Sequence, residues 1–137
     1  MACYFLAFIP AKEGGYAILS PDFPELVSLG DDLDDCMGMG SDALAVVVEE
    51  YTKSRRELPG PSSLEQAKAF AATEMQDEGV DVSREPLLQL FKAPNADMIP
   101  VKISISLPKA DLEAIDAKAK RLGMTRSGLM ATAARAY

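Results

Sequence analysis

A short alternating run near the end of the chain constrains it most. Val101, Ile103, Ile105 and Leu107 alternate with Lys102, Ser104 and Ser106, a period of two that predicts a half-buried strand over Pro100–Leu107. A lone strand is not stable in water, so this one has to pair with another strand or with a second copy of the chain. Its polar face carries a cation and hydroxyls, groups that can reach phosphates and base edges. The segment is a candidate dimeric DNA reader.

Two helices are predicted to follow. Pro108 suits a first helical turn, where a missing N–H does no harm. Leu112, Ile115, Ala119 and Leu122 recur at helical spacing, and Lys118, Lys120 and Arg121 complement the dipole of the last turn. Gly123 is a left-handed stop. Thr125 can cap a second helix from Arg126, with Leu129, Met130 and Ala133 as its apolar face. One strand and two short helices make too small a core alone, whereas two intertwined copies would pair the strands and bury the stripes of four helices. The start of the second helix, Thr125-Arg126-Ser127, would then offer its N–H groups to a phosphate.

Charge is distributed to match. The chain carries a net −7, which by itself argues against nucleic acid. Residues 1–98 hold 7 Lys and Arg against 18 Asp and Glu, a net −11, while residues 99–137 hold 7 against 3, a net +4. A basic tail fits phosphate. An acidic body repels DNA and attracts a basic protein, although solubility alone would also account for it.

The body reads as α+β. Residues 3–9 are apolar on both faces, as in a central strand, and Ala11-Lys12-Glu13-Gly14-Gly15 is a turn into a return strand, Tyr16 to Ser20. Pro21-Asp22-Phe23-Pro24 is a second turn before a third strand, Leu26 to Gly30. Asp32, with Asp35 three residues on, caps a helix to about Arg55 whose inner face is Cys36, Gly40, Ala43, Leu44, Val47 and Tyr51. Gly40, on that packed face, fits a close approach to the sheet. After Pro59-Gly60-Pro61, Ser62-Ser63-Leu64-Glu65 opens a second helix from Leu64 to about Asp77, ended by Gly79. Pro86–Lys92 is a fourth strand. The domains are therefore expected at 1–93 and 100–137, joined by a linker over 94–99.

No chemistry of catalysis is legible. The chain has no histidine, which removes His-based acid–base catalysis and most zinc sites. Two-metal cleavage needs several converging carboxylates; the first strand has none, Asp22 lies in a turn, and Glu49 and Glu50 point to different helix faces. Gly38-Met39-Gly40 lacks the Lys-Ser/Thr of a phosphate loop, and Cys36 lacks a base. No metal or cofactor is expected. Cys3 and Cys36 have no CxxC spacing and read as free thiols of a reducing compartment, a disulfide being the alternative. The apolar start stops at Pro10 and has no basic flank, so neither a signal peptide nor a membrane span is expected. The chain reads as cytoplasmic.

Val101-Lys102-Ile103-Ser104-Ile105-Ser106-Leu107-Pro108, then Leu112–Asp116 and Gly123–Ser127, resembles a ribbon–helix–helix domain, and more narrowly the C-terminal domain of the HicB antitoxins. The body is similar to the N-terminal domain of that family in Glu13-Gly14-Gly15-Tyr16, Pro21-Asp22-Phe23-Pro24 and Gly30-Asp31-Asp32-Leu33. It departs in Glu25-Leu26, where the family commonly has Gly-Cys, and in Ser104, where Asn is frequent.

The resemblance implies a small antiparallel sheet packed by helices, partly like a ribonuclease H sheet, followed by an intertwined ribbon–helix–helix dimer, or a tetramer as a dimer of dimers. Lys102, Ser104 and Ser106 would face bases in the major groove, and Thr125, Arg126 and Ser127 would hold phosphates. It implies an antitoxin that covers a HicA-like toxin, a small basic ribonuclease that cuts mRNA, and that binds and represses its own operon. Asp31, Asp32, Asp34 and Asp35 form a candidate toxin-binding cluster, while helix capping explains the same residues equally well. Two alternatives stand: a tail that only dimerises, and a stand-alone ribbon–helix–helix regulator whose acidic domain binds a ligand or another protein.

Overall fold

A strand that is apolar on both sides needs a layer above and below it, and the first strand has both. In the structure, a computed structural model that describes residues 2–137, β1 (Cys3–Pro10) is buried on both faces. Met1, the first residue of the expected 1–93 domain, lies outside the described residues. With β2 (Tyr16–Leu19), β3 (Val27–Gly30) and β4 (Leu87–Lys92), β1 forms an antiparallel sheet in the order β3-β2-β1-β4. Tyr4, Leu6 and Phe8 pack with Ile18 and Phe91 against α1 (Leu33–Lys53), through Cys36, Leu44, Val47 and Val48. Ala7 and Ile9 point the other way. They pack with Ala71, Val80 and Phe70, on the side covered by α2 (Leu64–Glu74).

Local chemistry sets the connections. Gly15 turns the β1–β2 hairpin at φ +68°, and a Cβ there would lie 2.6 Å from the Gly30 carbonyl oxygen, so only glycine fits. Asp32 caps α1 by accepting from the Asp35 N–H at 2.8 Å, and the Asp35 carboxylate accepts in turn from the Asp31 N–H at 2.8 Å. The expected capping box of α2 forms between Ser63 and Gln66 rather than with Glu65, because Gln66 occupies the third helical position. The Asp22 carboxylate accepts from the Ser62 N–H at 3.0 Å and from its hydroxyl at 2.5 Å, and the Tyr4 hydroxyl donates to the Pro59 carbonyl at 2.7 Å. The Pro59–Pro61 break is thus pinned onto the sheet.

The helix expected to reach Arg55 ends at Lys53. Arg55 adopts φ 56°, and the N–H groups of Arg55 and Arg56 return to the carbonyls of Thr52 and Tyr51. This is a Schellman stop built without glycine, with the Arg56 guanidinium 4.0 Å above the Tyr51 ring. The second helix, expected to reach Asp77, ends at Glu74, where Gln76 and Asp77 tighten onto the carbonyls of Thr73 and Glu74. Gly40 does face the sheet: a Cβ on it would sit 3.0 Å from Phe91 and 3.2 Å from Leu6.

The chain divides into two compact units, one ending at Val101 and one spanning Lys102–Tyr137. Segment 94–99, expected as a linker, belongs to the first. Ala93 is buried, Asn95 caps a short 3₁₀ turn at Ala96–Met98, and Ala96 and Ile99 pack on the core. Apolar residues on both sides of the turn hold it down.

The second unit contains α3 (Lys109–Arg121) and α4 (Arg126–Ala136). Gly123, at φ +67°, makes the reversal, with the Met124 N–H returning to the Ala119 carbonyl at 2.8 Å. Ala119 is the one fully buried apolar residue of this unit among the described residues. Arg126 Nε and Nη2 donate to the two carboxylate oxygens of Asp116 at 2.8 and 2.9 Å, tying the start of α4 to α3. The strand expected over Pro100–Leu107 does not form within one chain, since it finds no partner for its ladder, and its apolar residues stay exposed, Ile103 by 62%. No helix among the described residues is long and apolar enough to cross a membrane.

Glycines at two helix-related positions should respond oppositely to alanine. A Cβ at Gly30 would overlap the Cys36 sulfur and approach its backbone nitrogen to 2.9 Å, while nothing lies within 4 Å of one at Gly38. In urea denaturation, Gly30→Ala should lose about 1–3 kcal/mol or more, and Gly38→Ala should gain about 1 kcal/mol. The Asp116–Arg126 pair should also be visible in pH dependence. Arg126 holds the Asp116 carboxyl below the ordinary aspartate range, chiefly by hydrogen bonding. A carboxyl depressed in the folded state stabilises fully above its unfolded pKa, and that contribution is lost as pH falls through the folded value. The melting-temperature gap between wild type and Asp116→Asn should therefore close on acidification; an unchanged gap would assign the effect to packing rather than charge.

Candidate nucleic-acid interface and acidic body

Lys102, Ser104 and Ser106 are all exposed, as are Val101, Ile103, Ile105 and Leu107 between them. The segment thus presents a polar set and an apolar set to solvent, and among the described residues nothing covers either. The apolar set is the costlier to leave in water. Beyond it, α3 and α4 leave an apolar cleft of about 410 Å³ lined by Ala114, Ile115, Leu129, Met130 and Ala133 with Lys118 at its edge.

Thr125, Arg126 and Ser127 come together at the start of α4. The first turn of a helix carries N–H groups with no partner inside the helix. Thr125 Oγ1 accepts one of them, from Gly128 at 3.0 Å, and none of the turn's own residues is acidic, although the Asp116 carboxylate of α3 pairs with Arg126. Such unpartnered N–H groups and the positive end of a helix dipole favour anions in general. The bidentate bond from Arg126 to Asp116, reached across ten residues and a reversal, has no short-range sequence signal; a Gly between two amphipathic helices only hints at such a pair. It fixes the guanidinium beside the helix start rather than leaving it loose.

Asp31, Asp32, Asp34 and Asp35 surround the start of α1 and are exposed. The carboxylates of Asp32 and Asp35 are both engaged by backbone N–H groups of the cap. Two of the cluster thus have a structural role. The buried Cys36 thiol next to them is pushed up, by burial first and then by the negative charge of Asp35, Asp32 and Asp31, which keeps it protonated and a poor nucleophile. Cys3 and Cys36 are both free thiols. Among the described residues no three His, Cys, Asp or Glu side chains are grouped closely enough to hold a metal ion.

A second acidic region escapes sequence reading. Glu13, Glu74 and Asp77 come from the β1–β2 turn, the end of α2 and the turn after it, and they line one cavity of about 230 Å³ over Ile9, Ala17, Leu19 and Leu29. Arg84 closes the neighbouring turn. It pairs with Asp81 at 3.0 Å and donates to the carbonyls of Ala11 and Gly15 at 2.7 and 3.3 Å, over the face of Tyr16. Only the folded sheet assembles these residues.

The comparisons with known proteins agree with one another. Residues 4–134 match the HicB-like antitoxins of bacterial toxin–antitoxin systems. Antitoxin HicB 2 of Photorhabdus laumondii subsp. laumondii is 39% identical over 51 residues, 37% of this chain and 37% of that protein. Antitoxin HicB 1 of the same organism is 33% identical over 63 residues, 46% of this chain and 41% of that protein. The matched stretches thus span less than half of these curated relatives. Among solved structures, the Burkholderia pseudomallei antitoxin HicB superposes with a TM-score of 0.57 at 23% identity, over 98% of this chain and 94% of that one. A chain of a toxin–antitoxin complex from Streptococcus pneumoniae does so with a TM-score of 0.54 at 20% identity, over 98% and 97%. At such identities these two speak to the fold. The match over nearly the whole length settles the family: this chain is a member of the HicB-like antitoxins of bacterial toxin–antitoxin systems.

Proposed function

We propose that the chain is a dimeric autorepressor that also neutralises a HicA-like, mRNA-cleaving toxin. The observation that carries the DNA-binding half is the exposed alternating segment 101–107. Its apolar residues and the α3–α4 cleft need a cover, and a second copy offers one that matches both at once. Paired across a two-fold axis, the two segments become an antiparallel ribbon of a width the major groove admits, with Lys102, Ser104 and Ser106 toward base edges. A unit of the length of Lys102–Tyr137 supports this, since folded units below about 40 residues usually need oligomerisation, metals or disulfides. Thr125, Arg126 and Ser127 then anchor phosphates.

The toxin-binding half rests on family membership and on charge. The acidic body repels DNA and attracts a basic protein. Asp31, Asp32, Asp34 and Asp35 are available to such a partner, Asp32 and Asp35 while still capping α1. The domains follow the same division of labour, an acidic body for the toxin and a basic tail for operator DNA.

Fluorescence anisotropy with DNA from immediately upstream of the operon, against a scrambled duplex at physiological salt, tests the repressor reading. Binding at least ~10³-fold tighter to the upstream DNA is expected; equal or absent binding would leave the tail as a dimerisation module. Lys102→Ala should weaken operator binding by about 1–3 kcal/mol, with the loss depending on sequence. Arg126→Ala should instead weaken both duplexes alike and reduce the salt slope by about one. Unchanged binding in both variants would rule out this docking face.

A further inference from the structure

Rows of the sheet run from its core to an uncovered edge. Ile9 pairs with Ala17 and Ala17 with Leu29; Ala7 pairs with Leu19 and Leu19 with Val27. Residues paired directly across antiparallel strands share a face, so both rows lie on the side of α2. Burial falls steeply along them. Ala7 and Ile9 are 0% and 3% exposed, whereas Val27 and Leu29 are 65% and 66% exposed. The reason is geometric: α2 is short, covers β1, and stops before β3. β3 is also the end of the sheet, so its outer backbone groups pair with no strand. Edge strands are ordinarily protected by charge, proline or a covering element, and this one instead shows two large apolar side chains.

The ground beside that edge is concave. The cavity of about 230 Å³ over Ile9 and Leu29 adjoins one of about 270 Å³ over Pro24, Leu26 and Phe70, and Leu19 and Glu74 line both. Glu13, Glu74 and Asp77 edge this groove, and no Lys or Arg lines either cavity.

We propose that this groove, together with the exposed Val27 and Leu29 of the adjoining β3 edge, is the docking surface for a basic polypeptide that seats apolar side chains on it and sets Lys or Arg against Glu13, Glu74 and Asp77. The inference deepens the antitoxin reading and rests on it, since the toxin is the basic protein such a chain has to hold. Charge selects this occupant over the others. A second copy would bring another body of net −11 against the same acids, and DNA would bring phosphates; both are repelled. The surface is distinct from the cluster Asp31–Asp35, whose Asp32 and Asp35 are already engaged in the cap of α1.

The test is a calorimetric titration of the full chain with the small basic protein encoded beside it, in parallel with operator binding. Val27→Glu with Leu29→Glu should weaken that complex at least ~30-fold while melting temperature and operator binding stay at the wild-type level. Glu74→Gln with Asp77→Asn, a milder change that keeps shape, should slow association and flatten its salt dependence. Hydrogen exchange on the complex should show protection at residues 17–19 and 27–29. Wild-type affinity in both groove variants would overturn the groove while leaving the antitoxin reading intact. Absence of a wild-type complex would overturn both. A change of oligomeric state in Val27→Glu/Leu29→Glu without the basic protein would assign the edge to a second copy and overturn the proposal.

Discussion

The two-sided burial of β1 is the constraint on which the rest of the body depends. Tyr4, Leu6 and Phe8 on one face and Ala7 and Ile9 on the other are almost fully withdrawn from water, and each face demands its own helical layer. The demands are unequal. The large side chains need the long α1, which approaches closely enough to bring Gly40 against Phe91 and Leu6. Ala7 and Ile9 are covered by α2, which meets them through Ala71 and Phe70. A long helix therefore covers one face and a short helix only the middle of the other. The exposed rim of the α2 side follows from that short cover, which reaches β1 and β4 but not the β3 edge.

The same inequality explains the pinned loop between the helices. The chain leaves α1 on one side of the sheet and must enter α2 on the other. It crosses by the hydroxyl of Tyr4 and the carboxylate of Asp22, which hold Pro59 and Ser62 in place. Tyr4, Phe23 and Tyr51 meet edge to face at 4.8 and 5.4 Å on the α1 side of this crossing. The turn Pro21–Pro24 is thus a structural junction, with the Ser20 hydroxyl accepting from the Phe23 N–H at 2.9 Å to fix its bend. The acid of this turn, Asp22, thus holds the loop between the helices.

Legibility in the sequence tracks the range of the interaction. The strand period of 3–9, the Gly14-Gly15 hairpin, the Asp32 and Thr125 caps and the inner face of α1 all depend on residues within a few positions of one another, and each forms as expected. The stop of α1 was harder to read because Arg55 takes the left-handed position that glycine usually advertises. Segment 94–99 read as a linker from its Pro, Asn and Asp, and only the neighbouring core shows that Ala93 and Ile99 have somewhere to pack. The candidate DNA-contacting residues were legible as a pattern, whereas the Asp116–Arg126 bond and the Glu13–Glu74–Asp77 rim were not. Those depend on a reversal or on the width of the sheet against the length of a helix.

Each unit leaves apolar surface that its own chain does not cover, and the charge around that surface decides what can cover it. In the tail, Ile103 and Ile105 alternate with the exposed Lys102, Ser104 and Ser106, and Lys118 lines the α3–α4 cleft. In the proposed dimer a second copy fills the apolar side while the cations turn toward phosphates, so self-association and anion binding would reinforce each other. In the body, Val27 and Leu29 lie beside carboxylates, and a second copy would set acid against acid. Only a partner of opposite charge satisfies both the apolar demand and the electrostatic one. A sequence with one sign of charge throughout would have to use the same kind of partner twice. The sign of charge reverses near residue 99, so the two proposed binding events, each resting on apolar burial, would be kept apart by charge.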